Sequence, residues 1–518
     1  MSARISPVIR RGGVVAGRLL VYVLIWTGLA LLIAAAGIRY FWGEITVGQM
    51  LLNLVSVELD GGGGPIVWMG ILGVGVLPLL LTAGIALGQY ARRRRRRRQG
   101  GPVRPHRPRW LVRVLPTVLV AGVVVGGSTA FATTVGVGDY LRAGNSAYDL
   151  GDYYVEPTVT GDEHKRNLVL IYLESGEATL ANDELFEKNA FAPLQEVTRA
   201  SDGWQSVEDL RQYEGGGWTM AGLTATQCGV PLKGLGSAAD SGALNELGGD
   251  VGTYLGGTTC LGDVLREHGY TSVFLGGANA SFAAKDAFLG THGYSEVKDL
   301  SDWRAAGEPE KNFRGDWGLS DGRLMAHAKD EVDALHAEAQ RTGRPFNLSV
   351  LTLDTHEPVH IFDYCTVDTE NVVTSAFFCS MTQVAGFVAH LEQKGYLEDT
   401  AVVIMGDHLK HMSAGDAFHE QLDHHDNRTI FNRVWVPGED LDGRLRPRVD
   451  QLSMYPTILE AAGLELSDRA AGLGVSAFTT ELPQGSAQAM EPQLYTELLG
   501  SRSSQFYAEA WSGGDVAR

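Results

Sequence analysis

Three long stretches without a charged side chain dominate the first 138 residues. Twenty residues separate Arg18 from Arg39 (LLVYVLIWTGLALLIAAAGI), 31 separate Asp60 from Arg92, and 25 separate Arg113 from Asp139. A helix needs about 20 apolar residues to cross a bilayer, so all three qualify as membrane spans. A cleaved signal peptide would have a shorter apolar run and would not be followed by two more spans. Arg4, Arg10, Arg11 and Arg18 precede the first stretch; Arg92 to Arg98, Arg104, Arg107, Arg109 and Arg113 separate the second from the third. Basic clusters stay cytoplasmic. Three spans therefore predict that everything after about Asp139 lies outside the cytoplasm. The arginine tract could also suit nucleic acid or a nuclear-localisation signal. Its place between two spans instead makes it a topology anchor touching anionic lipid. The loop from Arg39 to Gly64 is mildly apolar and reads as interfacial.

The charge divides the same way. Residues 1–138 hold 16 arginines, no lysine and three acids (Glu44, Glu58, Asp60), whereas the remaining 380 hold 27 basic and 58 acidic side chains. An acidic body repels a phosphate backbone, which excludes nucleic acid as the main partner. With 44% hydrophobic and 20% charged residues the chain is neither disordered nor fibrous. All four cysteines, Cys228, Cys260, Cys365 and Cys379, fall in the exported body. Export favours disulfides over four buried thiols. Of the three pairings, Cys228–Cys260 with Cys365–Cys379 closes the shortest loops and is preferred.

Residues 140–166 are polar and irregular and read as a linker. Then come four short apolar runs: NLVLIYLES (Asn167 to Ser175), TSVFLGG (Thr271 to Gly277), FNLSVLTLDTH (Phe346 to His356) and TAVVIMGDH (Thr400 to His408). Continuous apolar runs of this length read as buried parallel strands. LGDVLREHGY (Leu261 to Tyr270) and MTQVAGFVAHLEQKGY (Met381 to Tyr396) read as helices, each followed by a strand. The alternation predicts an α/β unit with a largely parallel sheet between helices, and ligands beyond the strands' carboxyl ends. The polar residues at those ends are Glu174, Asp354 with His356, and Asp407 with His408. Two carboxylates and a histidine suit a divalent metal, although AspHis pairs also arise by chance. In GGGWTMAG (Gly215 to Gly222) a hydroxyl, Thr219, follows three glycines. It reads either as a helix cap or as a nucleophile at a helix N-terminus where anions bind. His424 and His425 belong to no motif and read as surface residues. From about Thr480 to Arg518 no periodicity is clear.

NLVLIYLES, GGGWTMAGLTATQCGVPL, TLDTHEP and MGDH, in this order, resemble the lipoteichoic acid synthase and phosphoglycerol transferase family. That family lies in the alkaline-phosphatase-like, sulfatase-like superfamily. The segment around Thr219 is most similar to the phosphoglycerol transferases that act on periplasmic glucans. The similarity runs from about Asn167 to Gly463 and includes DQLSMYPTILEAAGL (Asp450 to Leu464). It implies a membrane anchor over 1–138, a linker over 139–166, an alkaline-phosphatase-like catalytic domain over 167–480 and a C-terminal extension over 481–518. It also implies Thr219 as nucleophile, with Glu174, Thr219, Asp407 and His408 around one divalent ion. Carboxylates and a hydroxyl favour Mn2+ or Mg2+, and the histidine admits Zn2+. His356 matches a histidine that contacts the substrate. The segment GGANASFAAKD (Gly276 to Asp286) departs from lipoteichoic acid synthases, which carry His, Asp, Trp and Arg at positions here occupied by Gly276, Ala278, Ala283 and Lys285. Only the cation survives, as Lys285. That favours the glucan-modifying branch over the polymerising one.

The resemblance implies an enzyme of the cell membrane with an extracytoplasmic catalytic domain. It would move glycerophosphate from phosphatidylglycerol to a glycan or polyglycerophosphate acceptor, through a covalent intermediate on Thr219. A phosphoethanolamine transferase or a sulfatase-like phosphodiesterase of the same superfamily is an alternative. Sulfatases mature a Cys or Ser in a C/S-x-P-x-R arrangement, and CGVPL (Cys228 to Leu232) lacks that arginine. A catalytically silent protein that senses lipid or glycan is the third reading.

Overall fold

The computed structural model describes residues 7–41, 70–98, 109–138, 146–233, 253–315, 317–411, 417–422, 425 and 427–512, except 442 and 444. The loop over 42–69, Arg104, Arg107 and His424 lie outside the described residues. The described residues form two compact units, 7–138 and 146–512.

The first unit contains α1 (Pro7–Phe41), a π-helical turn (Ile71–Val76) that runs into α2 (Leu77–Arg98), and α3 (Arg109–Thr134). Its side chains are inverted relative to a water-soluble fold: Leu19, Leu80 and Leu119 are each about 60% exposed. Such apolar helix faces are untenable in water and natural in lipid. The three helices are long and apolar enough to cross a membrane, and the chain is a membrane protein. Small residues set the packing between α1 and α3. A Cβ on Gly127 would lie 2.2 Å from the carbonyl oxygen of Gly28.

The second unit is built on a six-stranded sheet. Its strands are β1 (Asn167–Leu173), β2 (Thr271–Gly276), β3 (Glu296–Lys298), β4 (Phe346–Leu351), β5 (Thr400–Gly406) and β6 (Asn432–Trp435). The spatial order is β3-β2-β4-β1-β5-β6, parallel throughout except for the edge strand β6. Every residue of β1, β4 and β5 is buried, which is why these strands read as mainly apolar runs, interrupted inside β4 by the buried Asn347 and Ser349. Alternate residues serve opposite faces. Leu168, Leu170 and Tyr172 enter one core with α4 (Thr219–Cys228), α5 (Leu261–Glu267) and α9 (Gln451–Ala461). Val169, Ile171 and Leu173 enter the other with α7 (Asp321–Thr342) and α8 (Val372–Gln393). Helix α8 is also long and apolar enough to span a bilayer, but Phe377, Met381, Val384, Phe387 and Leu391 are buried in the second core. The three strands with polar residues at their carboxyl ends, β4, β1 and β5, are neighbours in the sheet, so those residues converge on one edge.

Disulfides join Cys228 to Cys260 and Cys365 to Cys379, with S–S distances of 1.98 and 2.07 Å. Two stretches that look irregular in sequence are folded onto this unit. Within 146–166, Leu150 is fully buried and Val159–Gly161 pairs with Glu465–Leu466. Beyond Thr480, helices Pro492–Gly500 and Ser504–Trp511 place Leu498, Phe506 and Tyr507 in the first core. Helices of two turns are too short to display a 3.6-residue period, which hides them in the sequence.

Candidate active site

Glu174 is the first residue beyond β1, and Asp407 and His408 follow β5 directly. Because β1 and β5 are neighbours in register (Leu173 opposite Gly406), the three side chains meet. All are buried, and one ligand atom from each lies within 4.8 Å of the other two. The His408 Nε2 is 3.6 Å from Glu174 Oε1 and 3.6 Å from Asp407 Oδ2. The His408 Nδ1–H donates to the carbonyl of Leu409 at 2.7 Å, which leaves the Nε2 lone pair facing the carboxylates. Asp407 Oδ1 accepts from the backbone N–H groups of Ser175 and His408, each at 2.8 Å. Its Oδ2 is buried and has no hydrogen-bond partner. A buried carboxylate oxygen without a donor needs positive charge beside it. The donor set, two carboxylates and a neutral imidazole, fits a divalent cation.

Thr219 is the first residue of α4 and is half-buried. Trp218, extended at φ −158°, occupies the cap position and makes no side-chain cap bond. The Thr219 hydroxyl therefore serves no capping role and donates to Glu174 Oε2 at 3.3 Å. Glycine permits this approach. A Cβ on Gly222, one turn along α4, would lie 2.0 Å from the carbonyl oxygen of Asp407. Two glutamines lace the glycine-rich loop to the AspHis loop. Gln451 donates to the Asp407 carbonyl at 2.7 Å and accepts from Tyr213 N–H, and Gln212 accepts from Leu409 N–H at 2.8 Å.

The electrostatics follow from burial. Burial favours the neutral form of Glu174, but the imidazoles of His408 and His356 and the Ser175 hydroxyl outweigh it and hold the carboxyl at about 2. Burial and the Glu174 charge push Asp407 up to about 7. Burial lowers His408, and the Asp407 and Glu174 carboxylates more than reverse this. Lys285, only 6% exposed, opens α6 (Lys285–Thr291) after two left-handed alanines, Ala283 and Ala284. Burial lowers its pKa while the charges of Glu174, Asp407, Asp299 and Asp286 oppose the shift.

His356 lies beyond β4 and is half-buried. Its Nδ1–H donates to the Glu357 carbonyl at 2.8 Å, and burial lowers its pKa while the Glu174 carboxylate opposes the shift. The structure thus brings Glu174, Thr219, Asp407, His408, Lys285 and His356 to one sheet edge. His425 is exposed.

Several contributors carry no sequence signal. Arg314 is 5% exposed and donates to the carbonyls of His356 (2.8 Å), Pro358 (2.5 Å) and Leu353 (3.4 Å). It fixes the loop that carries His356. Asp321 accepts from the N–H groups of Leu353 and Asp354 and from Ser380. Asp354, named from the sequence as a strand-end acid, does not join the triad. It accepts from Tyr364, and burial beside Asp321 raises its pKa. Lys410, 3% exposed, spans from the AspHis loop to Glu357 at 2.9 Å.

The sulfatase family profile matches residues 167–464. Phosphoglycerol transferase I of Salmonella paratyphi B is 30% identical over 385 residues, 71% of this chain and 46% of that protein. The same protein of Salmonella typhimurium matches equally. The chain thus spans about half the length of these curated relatives. A solved alkaline phosphatase superfamily protein of Vibrio parahaemolyticus superposes with a TM-score of 0.50 at 18% identity, covering 73% of this chain and 95% of that one. The fold is therefore alkaline-phosphatase-like, and the chain belongs to the sulfatase family.

Proposed function

We propose that this protein is a membrane-anchored phosphoglycerol transferase, taking glycerophosphate from phosphatidylglycerol to an extracytoplasmic glycan or polyglycerophosphate acceptor. One observation carries the reading. The Thr219 hydroxyl stands at a helix start without capping it and donates at 3.3 Å to a carboxylate of a triad whose Asp407 keeps one buried oxygen without a partner. The names of the curated relatives support the glycerophosphate group.

A divalent ion held by Glu174, Asp407 and His408 would supply Lewis acidity toward the Thr219 hydroxyl and the phosphate oxygens. Mn2+ or Mg2+ suits the carboxylates best, and Zn2+ is compatible with His408. Glu174 Oε2 orients the hydroxyl. The Thr219 oxygen attacks phosphorus in line, and the bond from phosphorus to the diacylglycerol oxygen breaks. Diacylglycerol leaves with the proton, and glycerophosphate remains esterified to Thr219. An acceptor hydroxyl then attacks the same phosphorus, the bond to Thr219 breaks, and Thr219 regains a proton. Two in-line displacements retain configuration. The Lys285 ammonium offsets phosphate charge, and His356 Nε2 accepts from a hydroxyl of the bound group. The anchor keeps the site beside its lipid donor, which raises effective concentration without any new contact.

Incubating the full chain with labelled phosphatidylglycerol tests this reading. Diacylglycerol should be released and label should pass to the acceptor. Chelation should stop both and Mn2+ should restore them. Thr219→Ala should drop to background with its fold intact. Near-normal release by folded Thr219→Ala would overturn the covalent mechanism, and preference for phosphatidylethanolamine would reassign the donor.

A further inference from the structure

Beyond His356 the site becomes aromatic. The Trp317 ring centroid is 4.3 Å from that of His356, tilted by 39°, and Phe282 meets Trp317 edge-on at 6.2 Å. Phe282 is 46% exposed, and no other phenylalanine side chain is exposed among the described residues. Nothing in the core needs it there. Both rings are held in place. Trp317 lies in the turn between Phe313–Arg314 and Gly318–Leu319, its N–H donates to the Arg314 carbonyl at 3.0 Å, and the Arg314 guanidinium sits 5.7 Å from its ring. Leu319 N–H ties this turn to the Gly277 carbonyl at 3.0 Å. Phe282 lies in a turn anchored by Asp299, which accepts from Ala280 N–H at 2.8 Å. The two rings belong to separate segments and form one wall leading out from His356.

We propose that Phe282 and Trp317 form an acceptor subsite for a neutral sugar ring, an inference that rests on the transferase reading above. A sugar presents C–H groups on its faces and hydroxyls at its edge. The negative face of an aromatic ring attracts the former, and Asn279, Ser281 and Asp286 beside Phe282 suit the latter. Asn279 and Asp286 are exposed. The wall starts at His356, so a ring stacked on it brings its hydroxyls toward the phosphorylated Thr219. Charge decides between occupants. Residues 139–518 carry 58 acids against 27 bases, which disfavours a long polyanion such as a polyglycerophosphate chain and is indifferent to a neutral saccharide. A lipid tail would call for an aliphatic surface, whereas these rings are bordered by a guanidinium and polar side chains.

Binding and turnover test this separately. Saturation-transfer NMR of laminaritetraose with full-chain Thr219→Ala in detergent needs no catalysis. Transfer from the protein to the sugar is expected, and Phe282→Ala or Trp317→Ala in that background should weaken binding about tenfold. Phe282→Tyr should retain it. In the active enzyme, Phe282→Ala should raise the acceptor KM about tenfold relative to the donor KM. Phe282 is at the surface, so its loss should leave the melting curve in place. Laminaritetraose binding that ignores both rings, or no binding at all, overturns the proposal. A rise in donor KM instead assigns the wall to lipid, and a glycerophosphate oligomer that outcompetes laminaritetraose assigns it to the polyanion. Both outcomes overturn it. Failure to consume phosphatidylglycerol, with ring-dependent sugar binding intact, would refute the transferase reading and leave the subsite standing.

Discussion

Asp407 shows how one residue can report the state of the whole site. Its carboxyl is pushed from an ordinary 3.8 up to about 7 by burial and by Glu174. An acid with a raised folded pKa holds its proton more tightly in the folded state. Its contribution to stability is therefore complete at low pH and is lost as pH rises from about 4 to about 7. Glu174, held at about 2, acts oppositely, but only below about 4.5. Between pH 5 and pH 8 the metal-free protein should thus lose about 3 kcal/mol of stability through this group. Melting curves of chelated protein at pH 5 and pH 8 should show the loss. Asp407→Asn should abolish it, and saturating Mn2+ should offset it. Glu174, Asp407 and His408 were legible in the sequence because each directly ends a buried strand. Arg314 and Asp321 were not. They act through backbone carbonyls and N–H groups of a loop distant in sequence, and no local pattern marks such partners.

At the scale of elements, the strands were the most legible part. β1, β4 and β5 are buried on both faces, so each appears as a mainly apolar run followed by a polar residue, and β2 as one followed by glycine. Helix α4 was ambiguous, because a threonine after glycines reads as a cap as readily as a nucleophile. Only the position of Trp218 at the cap, with Thr219 inside the first turn, separates the two. The register of α4 against the AspHis loop depends on Gly222. Gly222→Ala would place its Cβ 2.0 Å from the Asp407 carbonyl oxygen, a main-chain atom with no freedom to swing aside. The helix must shift, at a cost of about 1–3 kcal/mol, and Thr219 moves with it. Metal affinity, read by titrating Mn2+, and diacylglycerol release should both fall. An unchanged pair of values would show that the contact is relaxed.

At the scale of the whole molecule, the sequence divides by charge and hydropathy before any motif is read. The arginines flanking the first and second spans predict that residues 92–113 are cytoplasmic and 140–518 lie outside. An arginine forced to a helix centre would cost about 2.5–3.5 kcal/mol. A reporter that needs export should be active when fused after Arg518, and activity there of a reporter confined to the cytoplasm would refute the arrangement. What the sequence hid at this scale was the extent of the globular unit. Short helices near the C-terminus and irregular segments before β1 complete its first core, and neither has enough turns or alternation to register as a pattern.

The Cys228–Cys260 disulfide bridges 32 positions of chain, joining the end of the helix that carries Thr219 to the start of α5. Its consequence is for the integrity of the polypeptide. A protease cut anywhere between those two cysteines leaves both pieces covalently attached, with the catalytic cluster drawn from each. Clipped protein should therefore migrate as a single band on a non-reducing gel and as two on a reducing one. It should also keep its turnover until a thiol is added.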